Sequence, residues 1–515
     1  MIGLSAMKGE SDPMKKLTAL FLCLCLMAGI VPVTAENTEA AAAGTSMKET
    51  LENIPGVISV EVIEPAEGSV LFSERYLVIF DQPLDWKDPS KGTFPQRVLV
   101  NLSDDAEINV LETQGYCLTD YQYPESVRQM VSILGMDAIV SEMTGLVTKS
   151  GNYICVEHRF FGGSRPADLS NTGLKYWEYH TPENAANDLH SVYTALAPLL
   201  GERWVSVGTS RGGLMTNVYA KYFPEDMDVY IPYVAPCSDG ITNDNMYRFV
   251  YEEIGDAAYG KETAEKYRGI VTDFQVELMK NKEVLLPYLV ADIEAQGMLF
   301  QNGPEDYGRV YDLAVLELAV QTWQYKGKQM FSNMQMILDM PEDTDELKNQ
   351  KLQQMIQVFA TIQGFADFSY NFVAWPYYVN TATYYGQYLY DFSWLRQAME
   401  KAGVENTLSI SPEADQDIPW SIVFTAEQRE AFVYDGTFRE ELLEDMKTTK
   451  AKHLMIFGAC DPWISEAVPE EITDGNENIR RYINPDYPHD SLISNMPEDM
   501  KNEIISLLKE WLSIQ

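Results

Sequence analysis

The stretch V-S-V-G-T-S-R-G-G at 205–213 restricts what this chain can fold into more than any other. A short apolar run ends in Gly208, Thr209, Ser210, Arg211 and Gly212, the pattern G-x-S-x-G. The pattern fits a strand that turns into a helix so sharply that the residues flanking the serine must be almost free of side chain. Gly208 and Gly212 meet that need, and Gly213 eases the approach of the following helix. Ser210 is expected at the strand end, with a helix N-terminus beneath its oxygen. Alone, the pattern is weak. It gains meaning only if the rest of the chain supplies a base and an acid in a workable order.

The chain has 515 residues, enough for one large core or two modest ones. Its net charge of −39 argues against nucleic acid and anionic membrane as partners, because phosphates would be repelled. The acids are dispersed rather than blocked, which fits the solubility of an exported protein. At the N-terminus, Lys15 and Lys16 precede an apolar run at 17–33 that ends in V-T-A. That is a signal peptide over 1–35, cleaved after Ala35, with Met14 as an alternative start. The run is short for a membrane span and breaks at Pro32. No small-residue lipobox precedes Cys23 or Cys25, so no membrane anchor is expected after cleavage. Residues 36–50 read as a flexible leader. Export permits disulfides among the four remaining cysteines, Cys117, Cys155, Cys237 and Cys460. Their spacing is not zinc-like, and no ligand cluster implies a metal or cofactor.

Strand periodicity or a buried-type apolar run marks 57–63, 74–80, 97–101, 108–112 and 153–157, with 81–86 as a turn. A helix is expected over 181–200, opened by Thr181 and Pro182. Strands follow at 204–207 and 229–236. From about 239 to 440 the alternation gives way to amphipathic helical stretches at 262–280, 283–296, 309–326, 346–363 and 392–402, with aromatics crowded between them. Strands return at 452–457 and 479–483, and a helix closes the chain at 500–514. Strands alternating with helices predict an α/β fold with a mainly parallel sheet. The expected organisation is a core over 51–238 and 441–515, with a helical cap over 239–440 inserted.

The order of side chains then points to chemistry. Serine hydrolases of the α/β-hydrolase type carry their triad as Ser, Asp or Glu, His along the chain. Here strand-end Ser210 is followed by strand-end Asp461 and loop His489. A serine hydroxyl is a weak nucleophile until a base takes its proton. Imidazole titrates near neutrality and suits that task. A carboxylate holds the imidazole tautomer and stabilises the imidazolium. The oxyanion needs two donors. One is the backbone N–H of Arg211; the other should come from the loop holding Gly115 and Tyr116. Plainer readings stand beside these. Asp461 can simply cap a turn before Pro462, Asp486 and Asp490 are rival acids, and His489 can be an exposed loop residue. His453, inside a strand, reads as structural. Glu157 and Arg159 read as a structural ion pair near the site.

Five segments together resemble a known family: E-H-R-F-F-G-G-S-R-P (157–166), A-A-N-D-L-H (185–190), W-V-S-V-G-T-S-R-G-G (204–213), Y-F-P-E-D-M-D-V-Y-I-P-Y-V-A-P (222–236) and G-A-C-D-P-W (458–463). They are similar to the secreted bacterial tripeptidyl aminopeptidases, also called prolyl tri- and tetrapeptidyl aminopeptidases. The likeness implies an α/β-hydrolase core with a helical cap, and release of short peptides from a free N-terminus. Carried over by motif, it makes Ser210 the nucleophile, Asp461 the acid and His489 the base. The chain departs from the family at G-A-C-D-P-W, where a G-E-N-D-P-W-like run is usual, and in the divergent cap.

Two further expectations follow. An aminopeptidase must bind a substrate ammonium, and the cap acids Glu317, Asp367 and Asp391 lie in apolar or aromatic surroundings suited to it. Each can equally be a solvated or capping acid. Cys237 and Cys460 each follow one of two strands expected to be neighbours, at a spacing that suits a disulfide; two buried thiols are the alternative. A lipase or carboxylesterase on the same core, or a hydrolase-fold binding protein without catalysis, are the rival functions.

Overall fold

The computed structural model describes residues 46–63, 72–118, 142–170, 173–362, 374–387, 389–410 and 420–514. The expected signal segment, most of the leader and Asp367 lie outside them. The end of the leader is corrected: Met47–Glu52 forms helix α1. Ser46 and Glu49 cap it reciprocally and Leu51 is buried beneath it, so this segment is anchored.

Nine strands form one sheet: β1 (Val57–Val62), β2 (Glu74–Pro83), β3 (Thr93–Leu102), β4 (Ile108–Thr113), β5 (Gly151–Val156), β6 (Trp204–Thr209), β7 (Val229–Tyr233), β8 (His453–Gly458) and β9 (Ile479–Asn484). Their spatial order is β1-β2-β3-β5-β4-β6-β7-β8-β9. The first strands pair antiparallel through β3 and β5, and from β5 to β9 every pairing is parallel. The turn expected at 81–86 starts later, because β2 continues through Gln82 and Pro83 opposite Phe94 and Thr93.

Helices cover both faces. Helices α2 (Pro182–Leu200) and α3 (Arg211–Tyr222) pack on one side, where Val98, Leu111, Ile154, Trp204 and Tyr230 meet Leu189, Val192 and Leu196. The alternate residues of the same strands, Val110, Tyr153, Val205, Ile231 and Ile456, meet the closing helix Glu498–Trp511 on the other. A strand buried on both faces reads as a continuous apolar run, which is why the parallel strands are legible in the sequence. Chain order reverses around β4: β5 lies on one side of it and β6 on the other. In open parallel sheets a crevice forms at such a switch point, outside the carboxyl ends of the strands. This mixed sheet, with a strand-turn-helix serine after β6, is an α/β-hydrolase core.

Between β7 and β8 the described residues are mainly helical. The longer segments are Asp244–Glu252, Lys261–Lys280, Lys282–Gln296, Tyr307–Gln321, Gly327–Leu338, Asp345–Ile362 and Thr437–Thr448. All but the last share an apolar cluster built on Phe274, Tyr311, Leu316, Phe331 and Trp375, whereas Thr437–Thr448 packs through Phe438 and Leu442 in a cluster with Met215 and Phe457. Helix Tyr307–Gln321 is buried on all sides from Val310 to Val320. Two π-helical turns interrupt the insertion, Thr322–Lys326 and Thr381–Tyr385. Among the described residues no helix is long and apolar enough to cross a membrane.

Candidate active site

Three neighbouring strands, β6, β7 and β8, end side by side. Ser210 follows β6 directly and is half-buried. Its backbone stands at φ 58° and ψ −121°. That conformation costs an L-residue on the order of 1–3 kcal/mol and persists only where the surroundings enforce it. They do so here. The Ser210 N–H donates to the Tyr233 carbonyl at 2.9 Å, and the Ser210 carbonyl accepts from the Leu214 N–H at 3.0 Å. Thr113, at the end of β4, donates to the Gly212 carbonyl at 2.8 Å. A Cβ at Gly208 would lie 2.3 Å from that carbonyl oxygen, so the glycines flanking the serine answer a real lack of space.

Asp461 caps the 3-10 turn Pro462–Glu466 and also faces His489. Its Oδ1 accepts from the Trp463 N–H at 3.0 Å, and its Oδ2 lies 2.7 Å from Nδ1 of His489. The capping reading and the pairing reading are therefore both realised. Acid and base are both buried. The loop bearing His489 reaches the end of β8 because Gly458 leaves room. A Cβ there would meet the carbonyl oxygens of Pro488 and Tyr487 at 2.2 and 2.3 Å. The rival acids Asp486 and Asp490 are exposed, and His453 is buried in β8 with Nδ1 on the Ala451 carbonyl.

The insertion completes the surroundings of His489. The His489 N–H donates to the Gln324 carbonyl at 3.2 Å, and the Tyr325 ring stands edge-on to the imidazole at 5.9 Å. Both residues lie in the first π-helical turn, a feature that recurs at functional sites. Nε2 of His489 is buried without a hydrogen bond. The structure thus joins the expected acid and base, and leaves the bond between Nε2 and the Ser210 hydroxyl open. Such bonds are often long without substrate and tighten in the complex.

Gly115 packs against the helix start, where a Cβ would come within 2.5 Å of Gly212 N and 2.8 Å of Arg211 C. The segment after β5 braces the same loop. The His158 N–H donates to the Tyr116 carbonyl at 3.1 Å, and Glu157 accepts the Leu118 N–H at 2.8 Å. The expected Glu157–Arg159 pair does not form. Glu157 pairs with Arg97 at 3.3 Å, whereas Arg159 forks onto Asp188 of α2 at 2.7 and 2.8 Å. The chain turns at 158–162, with Phe160 at φ 70°, so the two side chains leave in different directions.

Two of the three cap acids are described. Glu317, in the buried helix Tyr307–Gln321, accepts the Tyr247 hydroxyl at 2.9 Å. Asp391 caps its own turn through the Ser393 N–H and hydroxyl, at 2.8 and 2.9 Å. The Cys237–Cys460 bridge is absent; both are thiols. Four residues past β7 the Cys237 N–H is drawn to the Glu466 carbonyl, while Cys460 Sγ sits 3.8 Å from the Tyr259 hydroxyl, in a different apolar cluster.

Reading the sequence missed three participants. The Arg211 side chain is buried beside the serine, Asn380 binds it from the insertion, and His180 packs next to His158. Burial first, and the Arg211 charge among the lesser causes, push the pKa of both histidines well below the ordinary value, so both stay neutral. An arginine next to the serine was the one available signal; nothing local marks Asn380 or His180.

The family model of PS-10 peptidase S37 matches residues 40–514. A prolyl tri/tetrapeptidyl aminopeptidase of Streptomyces mobaraensis is 25% identical over 510 residues, covering 97% of this chain and 93% of its own. Among solved structures, a proline iminopeptidase of Mycobacterium smegmatis aligns at 12% identity and a TM-score of 0.32, covering 84% of this chain and 98% of its own. An α/β fold family hydrolase of Bacillus anthracis aligns at 12% identity and a TM-score of 0.31, covering 85% and 98%.

Proposed function

The chain belongs to the PS-10 peptidase S37 family and is a serine peptidase on an α/β-hydrolase fold, and on that premise we propose that it is an exported exopeptidase. It releases tri- or tetrapeptides from the free N-terminus of peptide substrates through Ser210, His489 and Asp461. The observation that carries this reading is the buried 2.7 Å contact between Asp461 Oδ2 and His489 Nδ1, with Nε2 left without a partner. An ionised carboxylate can only accept, so the proton sits on Nδ1 and Nε2 keeps a lone pair for the serine hydroxyl.

In this mechanism Ser210 Oγ attacks the scissile carbonyl as its proton passes to Nε2. Asp461 stabilises the imidazolium that forms. The developing oxyanion meets the Arg211 N–H and a donor from the Gly115–Tyr116 loop. Collapse expels the leaving amine, which takes the proton from His489 and leaves an acyl-enzyme. Water, deprotonated by the same imidazole, then releases the short peptide.

Of the two described acids, Glu317 is better suited to the substrate ammonium, since Asp391 is spent on its own turn. Glu317 lies two helical turns before Gln324, which touches His489. Two turns measure about 10 Å, and three extended residues span about the same length. Peptide length is set by that separation. The name of the Streptomyces relative and the basic-apolar N-terminal segment support the substrate class and the export.

The test is mass spectrometry of products from a defined peptide library, each peptide offered with a free and an acetylated N-terminus. Wild type should release tripeptides or tetrapeptides from the free series alone, and Ser210→Ala none. Cleavage of acetylated peptides at an equal rate, or turnover of long-chain esters in preference to peptides, would overturn the reading.

A further inference from the structure

Arg211 carries an ionised group where the surroundings offer it no acid. Its side chain is buried, and among the described residues no carboxylate pairs with it. The guanidinium lies within 4.9–6.0 Å of the ring centres of Phe161, Tyr385, Tyr116 and Tyr377. Its Nε is buried without a hydrogen bond. Asn380 Oδ1 and the Gly115 carbonyl are the two acceptors it has, the latter at 2.7 Å. Asn380 is itself fixed, donating to the His180 carbonyl at 2.8 Å. Aromatic faces and charge-assisted bonds offset part of the cost of burying a cation, yet a neutral apolar side chain would fill the same space without it.

The bond to Gly115 explains the charge. In a trans peptide the C=O and the next N–H point in opposite directions. Drawing the Gly115 carbonyl toward the guanidinium turns the Tyr116 N–H the other way. The next carbonyl, of Tyr116, is held by the His158 N–H, and the Leu118 N–H by Glu157, so the loop is tied immediately after this peptide. A glycine without space for a Cβ presses the loop onto residues 211 and 212.

We infer that the Arg211 side chain is a positioning residue for the oxyanion hole. Its backbone N–H is one donor, and its guanidinium, braced by Asn380, orients the Tyr116 N–H as the other. This rests on the reading of Ser210 as nucleophile and of the Gly115–Tyr116 loop as half of the hole. One residue then sets both donors, and the loop cannot rotate its peptide without breaking a buried ionic hydrogen bond.

The test compares Arg211→Met, Arg211→Lys and Asn380→Ala with wild type and Ser210→Ala. Each is assayed for kcat and KM on a cleaved peptide, for affinity toward a peptide boronate that mimics the tetrahedral intermediate, and for affinity toward the product peptide. Removing an oxyanion donor costs about 10²–10³ in kcat, and misorienting one is expected to cost about 10²-fold in Arg211→Met. Boronate affinity should fall by about the same factor, while KM and product affinity stay within about threefold. Arg211→Lys and Asn380→Ala keep a cation in place, should each lose about tenfold, and carry the test if the methionine variant does not fold. Wild-type kcat and boronate affinity in folded variants would overturn the inference while leaving Ser210 in place. Equal losses in boronate and product affinity would overturn it too, marking a general support of the pocket. Activity in Ser210→Ala would instead overturn the reading beneath it.

Discussion

A Cβ on residue 115 has nowhere to go, since it would lie 2.5 Å from Gly212 N and 2.9 Å from Arg211 Cβ. Gly115→Ala must therefore push the loop off the elbow, which moves the proposed oxyanion donor as well as the packing. We expect kcat to fall by about 10²-fold or more and stability by about 1–3 kcal/mol. Gly269 offers the contrast. It is exposed in helix Lys261–Lys280, and a Cβ there would meet nothing within 4 Å. Gly269→Ala should leave kcat unchanged and stabilise by about 0.5–1 kcal/mol. Steady-state kinetics and urea unfolding of the pair check both halves. If the two alanines behave alike, close approach is not what Gly115 provides. At this scale the glycine turn at Ser210 and the Asp461–His489 contact were legible because each residue stands in a local context, a tight turn or a strand end, and follows a chain order that the proposed roles require. The Arg211–Asn380 contact was not. Its members lie 169 positions apart, and nothing in either local sequence encodes the meeting. The Glu157–Arg159 pairing failed for a related reason: close spacing along the chain fixes a common direction only while the backbone keeps a regular repeat, and here it turns.

Elements were legible where apolar residues repeat. Strands β4 to β9 and the helices expected at 262–280, 283–296 and 346–363 stand close to where the pattern puts them, whereas Asp244–Glu252, Gly327–Leu338 and Thr437–Thr448 were not expected. The π-helical turns at Thr322–Lys326 and Thr381–Tyr385 were not, because a local change in helical hydrogen bonding leaves the apolar repeat nearly intact. The turn that Asp461 caps, Pro462–Glu466, carries a testable consequence. Glu466 ends it with a carboxyl that burial pushes up to about 7, although its Oε2 accepts the Asp239 N–H at 3.2 Å. The other oxygen is buried, with the Gln387 side chain beside the carboxyl. The sign is fixed by linkage. Between the ordinary value of 4.5 and about 7 the folded state holds a proton that the unfolded state has released, so stability falls as pH rises through that window and levels off above it. The full cost is on the order of 3 kcal/mol. Glu466→Gln keeps the acceptor for Asp239 and removes the cost. It should unfold at a higher temperature than wild type at pH 8, with the gap closing by about pH 5. A gap that is constant across this range would mean that Glu466 is already ionised at little expense.

Over the whole molecule the balance of charge is set by 77 acidic against 38 basic side chains, so a pairing of every cation would still leave 39 acids uncompensated. The architecture was largely legible at this scale, because an apolar strand run before and after a long helical stretch leaves few ways to close one sheet. The bridge expected between Cys237 and Cys460 was not, since strand neighbourhood fixes where strands end but not where the chain goes next. An excess of this size creates a field that extends beyond the surface by about a Debye length, ~10 Å at 0.1 M salt and ~30 Å at 0.01 M. Peptides that enter by a free ammonium terminus, as proposed, would be drawn by that field when their remaining residues are basic and repelled when they are acidic. We therefore expect two peptides with the same residues around the cleaved bond, one lysine-tailed and one glutamate-tailed, to respond oppositely to salt. From about 10 to about 150 mM sodium chloride, kcat/KM should fall several-fold for the basic peptide and rise for the acidic one, with kcat nearly constant for both. A common slope for the two peptides would show that the excess charge lies too far from the entrance to steer substrate, and that the net charge serves solubility alone.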